Sequence, residues 1–417
     1  MTESVISQDA IPADVPLLRN RPFQLLWASS ASSALGVAVA DVGYPLVILG
    51  LTGSPADAGL FAAFQAAGAF AAGLPAGHLV DKRSPRAILL AAEGGRALVT
   101  ALAAIGLVFG WLNLPLLLAV AALVGTGQPM ASTARIILTR IVVPPAQLTR
   151  ALTQDEVRIN GAQLAGPPLG GALYGLRVLS HAAPLVFATG SFAASFLGGL
   201  LLRAEPDRAA GAEQDAGGRD TGMLAGLTAI WSDPLMRATT MLFATINCLA
   251  AGLELIAVVI LRDQSVPPAL IGAALAGAAV GGLAGAPLVR PLHRLRPGVL
   301  MITVSAVFVV VVGLLAVPLG PWWMAGLLFG GMLGVPSLRV LVDVLILRQA
   351  PAAERGRVLA GIMTLLGVGI PAGLAGAGLL LQYLPPRTAV LILAGALAAG
   401  VTACAANRNL RQSRWPG

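Results

Sequence analysis

Two acids are conspicuous for where they sit. Asp41 interrupts one long apolar run and Glu254 another. A charge at the centre of a bilayer costs roughly 3 kcal/mol on insertion scales, so each carboxylate needs a reason to be there. Their spacing offers one. They are 213 residues apart, and Gly59 and Gly272 repeat at the same interval. An acid in apolar surroundings can exchange its proton near neutral pH, which is proton-carrier chemistry. The competing reading is a helix–helix hydrogen bond, or a water-facing acid with no carrier role. Glu93 and Arg96 form a second group. Three residues apart on a helix, they share a face, either as a structural ion pair or as a cation offered to a cavity. Arg96 falls on the order of 13 Å in from the end of its helix, at 1.5 Å per residue. Arg339 and Asp343 are spaced i, i+4 and read as a local pair. Arg135 aligns with Asp343 at an interval of 208, and its long stem also suits snorkelling to the surface.

Long apolar elements must hold these groups. The chain has 417 residues, 57% apolar and only 11% charged, with a mean hydropathy of +0.83. Soluble globular chains carry about 25% charged residues, so most of this surface faces lipid. A bilayer-crossing helix needs about 20 apolar residues. On that criterion about twelve spans are expected, near 24–50, 57–80, 87–110, 114–138, 159–177, 182–203, 236–261, 269–289, 298–318, 321–347, 357–382 and 387–406. Turn signals such as Thr52-Gly53-Ser54-Pro55, Pro144-Pro145 and Pro267-Pro268 separate them. With the N-terminus inside, all but three of the 27 basic residues fall on the inner side or in spans entered from it. Arg177, Arg262 and Arg387 are the exceptions, so both termini are expected to be cytoplasmic.

A charged hinge, Gly73–Arg86, has a weaker copy at Gly285–Gly298, with Gly73, Pro75 and Pro85 each recurring 212 residues later. The chain therefore reads as two related halves. The expected organisation is a tail at 1–22, a six-helix bundle at 23–203, a polar linker at 204–233, a second bundle at 234–407 and a tail at 408–417. The polar, acidic start lacks a signal peptide's basic beginning and apolar core.

Twelve spans in two halves, with this hinge, resemble the major facilitator superfamily. The hinge is similar to that family's GxxxDRxGRR loop, through Gly77, Asp81, Lys82 and Arg86, with Ser84 and Pro85 departing from the pattern. Gly166-Pro167-Pro168-Leu169-Gly170-Gly171 resembles the antiporter motif of the superfamily's exporters. Asp41 followed by Leu51–Pro55, together with Arg96 and Pro351–Val358, resembles the drug–proton antiporter group that includes macrolide and enterobactin exporters. The resemblance implies an all-α membrane protein of twelve transmembrane helices in two pseudo-twofold-related bundles, the major facilitator fold. It also implies that Asp41 and Glu254 face a central cavity. Asp81 would be held by Arg135 and by the helix start near Arg357, as a gate. The alternative for Lys82, Arg83 and Arg86 is topology anchoring alone. The motif Gly166, Pro167, Gly170 and Gly171 would form a kinked seal, or else ordinary close helix packing. Gln65, Gln128, Gln163 and Asn247 are candidate cavity-lining side chains.

Other classes fit poorly. The net charge of +8 is scattered in short clusters between apolar runs, so no nucleic-acid face is expected. The one lysine, Lys82, has no phosphate-binding loop around it. Cys248 and Cys404 read as buried thiols, and His78, His181 and His293 do not cluster for a metal. No nucleophile–base pair suggests an enzyme. The expectation is a monomeric bacterial inner-membrane exporter of a small hydrophobic or amphipathic molecule: a drug, secondary metabolite or siderophore. It would be driven by the proton gradient without a cofactor. The alternatives are a proton-coupled nutrient importer, or a scramblase or channel.

Overall fold

The computed structural model describes residues 16–176, 181–202, 231, 234–349 and 355–406. The expected linker falls almost wholly outside them. Every described element is helical. In the first half these are α1 (Arg21–Thr52), α2 (Pro55–Lys82), α3 (Pro85–Phe109), α4 (Leu114–Val142), α5 (Leu148–Gly175) and α6 (Ala183–Leu201). The second half contains α7 (Pro234–Ala251), α8 (Leu253–Asp263), α9 (Pro268–Gly285), α10 (Val289–Leu292), α11 (Pro297–Leu314), α12 (Pro321–Met332), α13 (Val335–Gln349), α14 (Arg355–Tyr383) and α15 (Pro386–Ala406).

The punctuation seen in the sequence sets the turns. Gly53 closes α1 in the left-handed conformation at φ 65°, Ser54 accepts a hydrogen bond from the Asp57 amide, and Pro55 opens α2. Gly110 and Asn113 do the same between α3 and α4, with Asn113 accepting from the Leu116 amide at 3.0 Å. These turns lie at one end of the bundle, termed the far end; Asn20, Arg83 and Val143 mark the near end.

Ten helices or helix pairs among the described residues are long and apolar enough to cross a membrane. α5 is not among them, yet at 28 residues it extends about 42 Å, as does α2. The neighbours of α5 account for its more polar composition, and those of α2 are equivalent. α2 packs against α4 and α14, and α5 against α1 and α9, so both sit between the halves rather than against lipid. Two boundaries differ from expectation. The fifth span begins at Leu148 rather than 159, because Arg150, Asp155, Glu156 and Arg158 lower its hydropathy while remaining helical. The seventh is interrupted at Gly252, which places Glu254 in the first turn of α8.

The packing repeats across the halves. α2 on α4 corresponds to α9 on α12, α3 on α6 to α11 on α15, and α5 on α9 to α14 on α2. The last pair forms two seams between the halves. In one, Gly171 and Gly272 meet beside Pro167, Pro168 and Pro268; in the other, Gly59 lies against Gly378. A Cβ at Gly59 would lie 2.7 Å from the Gly378 Cα, and one at Gly272 would run into the Pro167 carbonyl. Both seams are near the far end, where Ser54 Oγ also donates to Gln382 Oε1 at 2.9 Å.

The apolar cores follow the same division. One large cluster joins both halves at far-end levels, from Val42–Leu49 and Leu117–Val124 to Leu253–Leu261 and Phe308–Leu315. At near-end levels the core splits in two. One cluster, around Leu26, Leu89 and Leu138, belongs to the first half; the other, around Met301 and Leu341, belongs to the second. The halves are thus joined at the far end and parted at the near end among the described residues.

The seam gives a direct test. Gly272→Ala drives a methyl group into backbone and should destabilise the protein by about 1–3 kcal/mol, the usual cost of overpacking. Gly282→Ala meets nothing within 4 Å and should leave the thermal unfolding midpoint of the purified protein unchanged.

Candidate functional site

A cavity of about 690 Å³ runs along the inner face of the first half, from Asp41 toward Phe23 and Thr149 at the near end. Helices α1, α4 and α5 wall it, and Arg96 reaches it from α3. Three features of the sequence shape these walls. Pro45 lacks the amide that would bond the Asp41 carbonyl, which loosens α1 at the acid. Pro167 and Pro168 do the same inside α5, whose Gly166 and Gly170 let its backbone approach Ala38 and Val39. Pro129 interrupts α4 between Gln128 and Arg135.

Asp41 is exposed among otherwise buried neighbours, and the Gln65 side-chain amide reaches its Oδ1 at 3.5 Å. Glu254 is also exposed, although Leu253 and Leu255–Leu261 around it are buried. The two carboxylates, one from each half, lie within electrostatic range of each other, and Asp41 also lies within range of Arg96.

Below Asp41 is a buried charge cluster. Glu93 is fully buried and engages three partners on three helices, two through hydrogen bonds and one through a longer ion pair. Arg135 Nη2 of α4 pairs with its Oε1. Arg96 Nη1 lies 3.7 Å from the same oxygen, and Ser33 Oγ of α1 donates at 2.9 Å. Arg96 also donates to Ser33 at 3.4 Å and stacks over the Phe192 ring at 4.0 Å. Arg135 reaches Ser195 of α6 at 3.5 Å. Gly127 leaves room for the Arg96 stem, since a Cβ there would lie 2.7 Å from its Cγ and Cδ. Farther toward the near end, Arg158 of α5 is 8% exposed and pairs with Asp155 at 2.5 Å.

Gln128 and Gln163 line the cavity with Asp41. Asn247 donates to the Phe243 carbonyl of its own helix at 3.1 Å. Arg135, expected beside Asp81, is engaged by Glu93; the surroundings of Gly77 and the side chains of Asp81 and Asp343 lie outside the described residues. Lys82 is exposed at the end of α2, and Arg339 is exposed on α13. Arg86 donates from Nε and Nη2 to the carbonyls of Gly199 and Leu200, at 3.0 and 2.7 Å, so it caps the end of α6. Sequence reasoning missed Ser33, Ser195 and Arg158. The first two carry no signal without a fold, whereas Arg158 was discoverable as a cation one turn before an apolar run.

The chain can also be set beside known proteins. The Major Facilitator Superfamily family model matches residues 26–335. The chain belongs to that superfamily. It is a multi-pass membrane transporter rather than an enzyme, with the superfamily's all-helical fold. A multidrug efflux pump, Tap, from Mycolicibacterium fortuitum is 27% identical over 283 residues, which cover 64% of this chain and 66% of that protein. Solved structures share the fold at lower identity. The nucleoside transporter NupG superposes with a TM-score of 0.72 at 16% identity, over 93% of this chain and 98% of NupG. A bacterial homologue of the iron transporter ferroportin gives 0.70 at 17%, over 94% and 99%.

The buried cluster makes its own prediction. Arg135→Ala removes the nearest counter-charge of Glu93 and leaves Arg96 at 3.7 Å as its remaining cation, so the cost should fall below the roughly 3–5 kcal/mol typical of a fully broken buried pair. The double variant Arg135→Ala with Glu93→Gln should recover part of that loss, giving a coupling of at least about 1 kcal/mol in a double-mutant cycle of thermal or denaturant unfolding.

Proposed function

We propose that this transporter is a secondary active exporter of small hydrophobic or amphipathic molecules, working by proton antiport and alternating access in a bacterial inner membrane. The distribution of arginines supports a cytoplasmic side for its termini and near end. The observation that carries the reading is the pair Asp41 and Glu254. Each half contributes one exposed carboxylate at an equivalent position, and Glu254 lies within electrostatic range of Asp41. Two such groups give a site where protons and substrate exclude one another, which couples their opposite movements.

In this scheme the near-open arrangement loads substrate from the cytoplasm. Closing the near end and parting the far-end seams would carry it across. Protonation of the acids from outside removes the cost of an unpaired charge during the return. The kinked Gly166–Gly171 segment keeps the far end shut while the cavity is loaded. The likeness of sequence to a multidrug efflux pump favours export and a broad apolar substrate range.

Reconstitution in proteoliposomes under an imposed pH gradient tests this. Asp41→Asn should abolish uphill export of a fluorescent amphipathic dye while leaving downhill exchange measurable, and Glu254→Gln should resemble it. Wild-type proton-driven export by both variants would remove the coupling assignment. Dye accumulation moving with protons would make the protein an importer, and flux indifferent to the gradient would favour a channel or scramblase.

A further inference from the structure

The same cavity has a second polar region, nearer its mouth. Arg135 and Arg158 both line it and lie within electrostatic range of one another. Each has one acidic contact through Nη2: Glu93 for Arg135 and Asp155 for Arg158. Three other nitrogens, Nε of Arg135 and Nε and Nη1 of Arg158, are buried with no acceptor among the described residues. An orphaned donor on a buried charged group is costly, and a second arginine within electrostatic range compounds that cost. Arg158 is more than nine-tenths buried, so it is not simply solvated. Nearby acids do not close the gap. Glu93 is engaged by Arg135 and Arg96, Asp155 already pairs with Arg158, and Glu156 adds only a longer-range field at Arg158.

We propose that Arg135 and Arg158 form an oxyanion subsite: a place for a carboxylate, or a comparable oxygen-acid group, on the molecule that occupies the cavity. Guanidinium groups present planar, forked donors that match such oxygens. The surrounding wall is apolar, with Ile136, Leu152 and Ile159, and Trp27 is fixed by its indole N–H donating to the Gln154 carbonyl at 3.2 Å. The ligand class is therefore an aromatic or aliphatic acid. Ser33 marks the level of the arginine cluster, and eight residues of helix separate it from Asp41, on the order of 12 Å. A molecule with an acid at one end and an amine at the other would span both charged regions of the cavity. This inference rests on the reading of the cavity as the substrate site, and its test measures binding rather than flux.

The experiment is calorimetric titration of the full chain in lipid nanodiscs with 2-naphthoate and its neutral isostere 2-naphthamide. Naphthoate should bind about tenfold or more tightly than the amide, the scale of one charge-assisted hydrogen bond. Arg158→Gln should bring the two to parity with the amide's affinity unchanged, and Arg158→Lys, which keeps the charge but not the fork, should fall between. Arg158→Gln leaves only the half-exposed Asp155 without its partner, and an unchanged unfolding midpoint verifies that this variant is folded. Absent or equal binding of the two probes by the wild type would overturn the subsite, as would a carboxylate preference that survives in Arg158→Gln. If that preference holds while proton-driven flux fails, the export mechanism falls and the subsite stands.

Discussion

The first half is organised around one buried carboxylate. Glu93 ties Ser33 of α1, Arg96 of its own helix and Arg135 of α4, and through Arg135 reaches Ser195 of α6. Such a cluster is weak evidence for net stability, because desolvating the charges offsets most of their attraction. Its effect is on geometry. Four helices that could slide against one another on Ala and Gly surfaces are instead held in one register. That register sets Asp41 of α1, two turns above Ser33, against Gln128 of α4 on the cavity lining. The guanidinium of Arg96 depends on it too, because its stem needs the gap at Gly127 and its plane needs Phe192.

Among the described residues, the second half repeats the packing without repeating the buried charge cluster. Close backbone approaches recur between α9 and α12, where Cβ atoms at Gly277, Gly281 and Gly285 would strike the carbonyls of Ala325, Phe329 and Leu333, as between α2 and α4 at Gly68 and Gly125. In membranes, where apolar surfaces gain little by meeting each other, such close contact is a main source of helix association. Duplication thus preserved the small residues that set distances. Among the described residues, Asp41 and Glu254 are a charged position common to both halves.

Much of this was legible before any fold was known. Twelve spans, two halves and the 213-residue interval follow from apolar runs and repeated glycines, because lipid imposes length and composition directly. The misplaced start of α5 shows where that logic fails. Hydropathy treats Arg150, Asp155 and Arg158 as a loop, but a helix facing a water-filled cavity can carry charge along its length. The break at Gly252 was hidden for the opposite reason: the run is apolar on both sides, and a single glycine carries little weight. Ser33 and Ser195 illustrate a third case. A hydroxyl in an apolar helix gains a role only when another helix brings a charge to it, and sequence spacing does not encode that.

The two glycine seams have a mechanical consequence. Because they are related by the internal twofold, lying on opposite flanks of the far end, neither can part alone while the halves move as rigid bodies. Any tilt that lifts Gly171 from Gly272 also strains Gly59 against Gly378. The outer face therefore behaves as a double latch with a single threshold, in which a partial fluctuation on one flank is arrested by the other before a continuous water path can form.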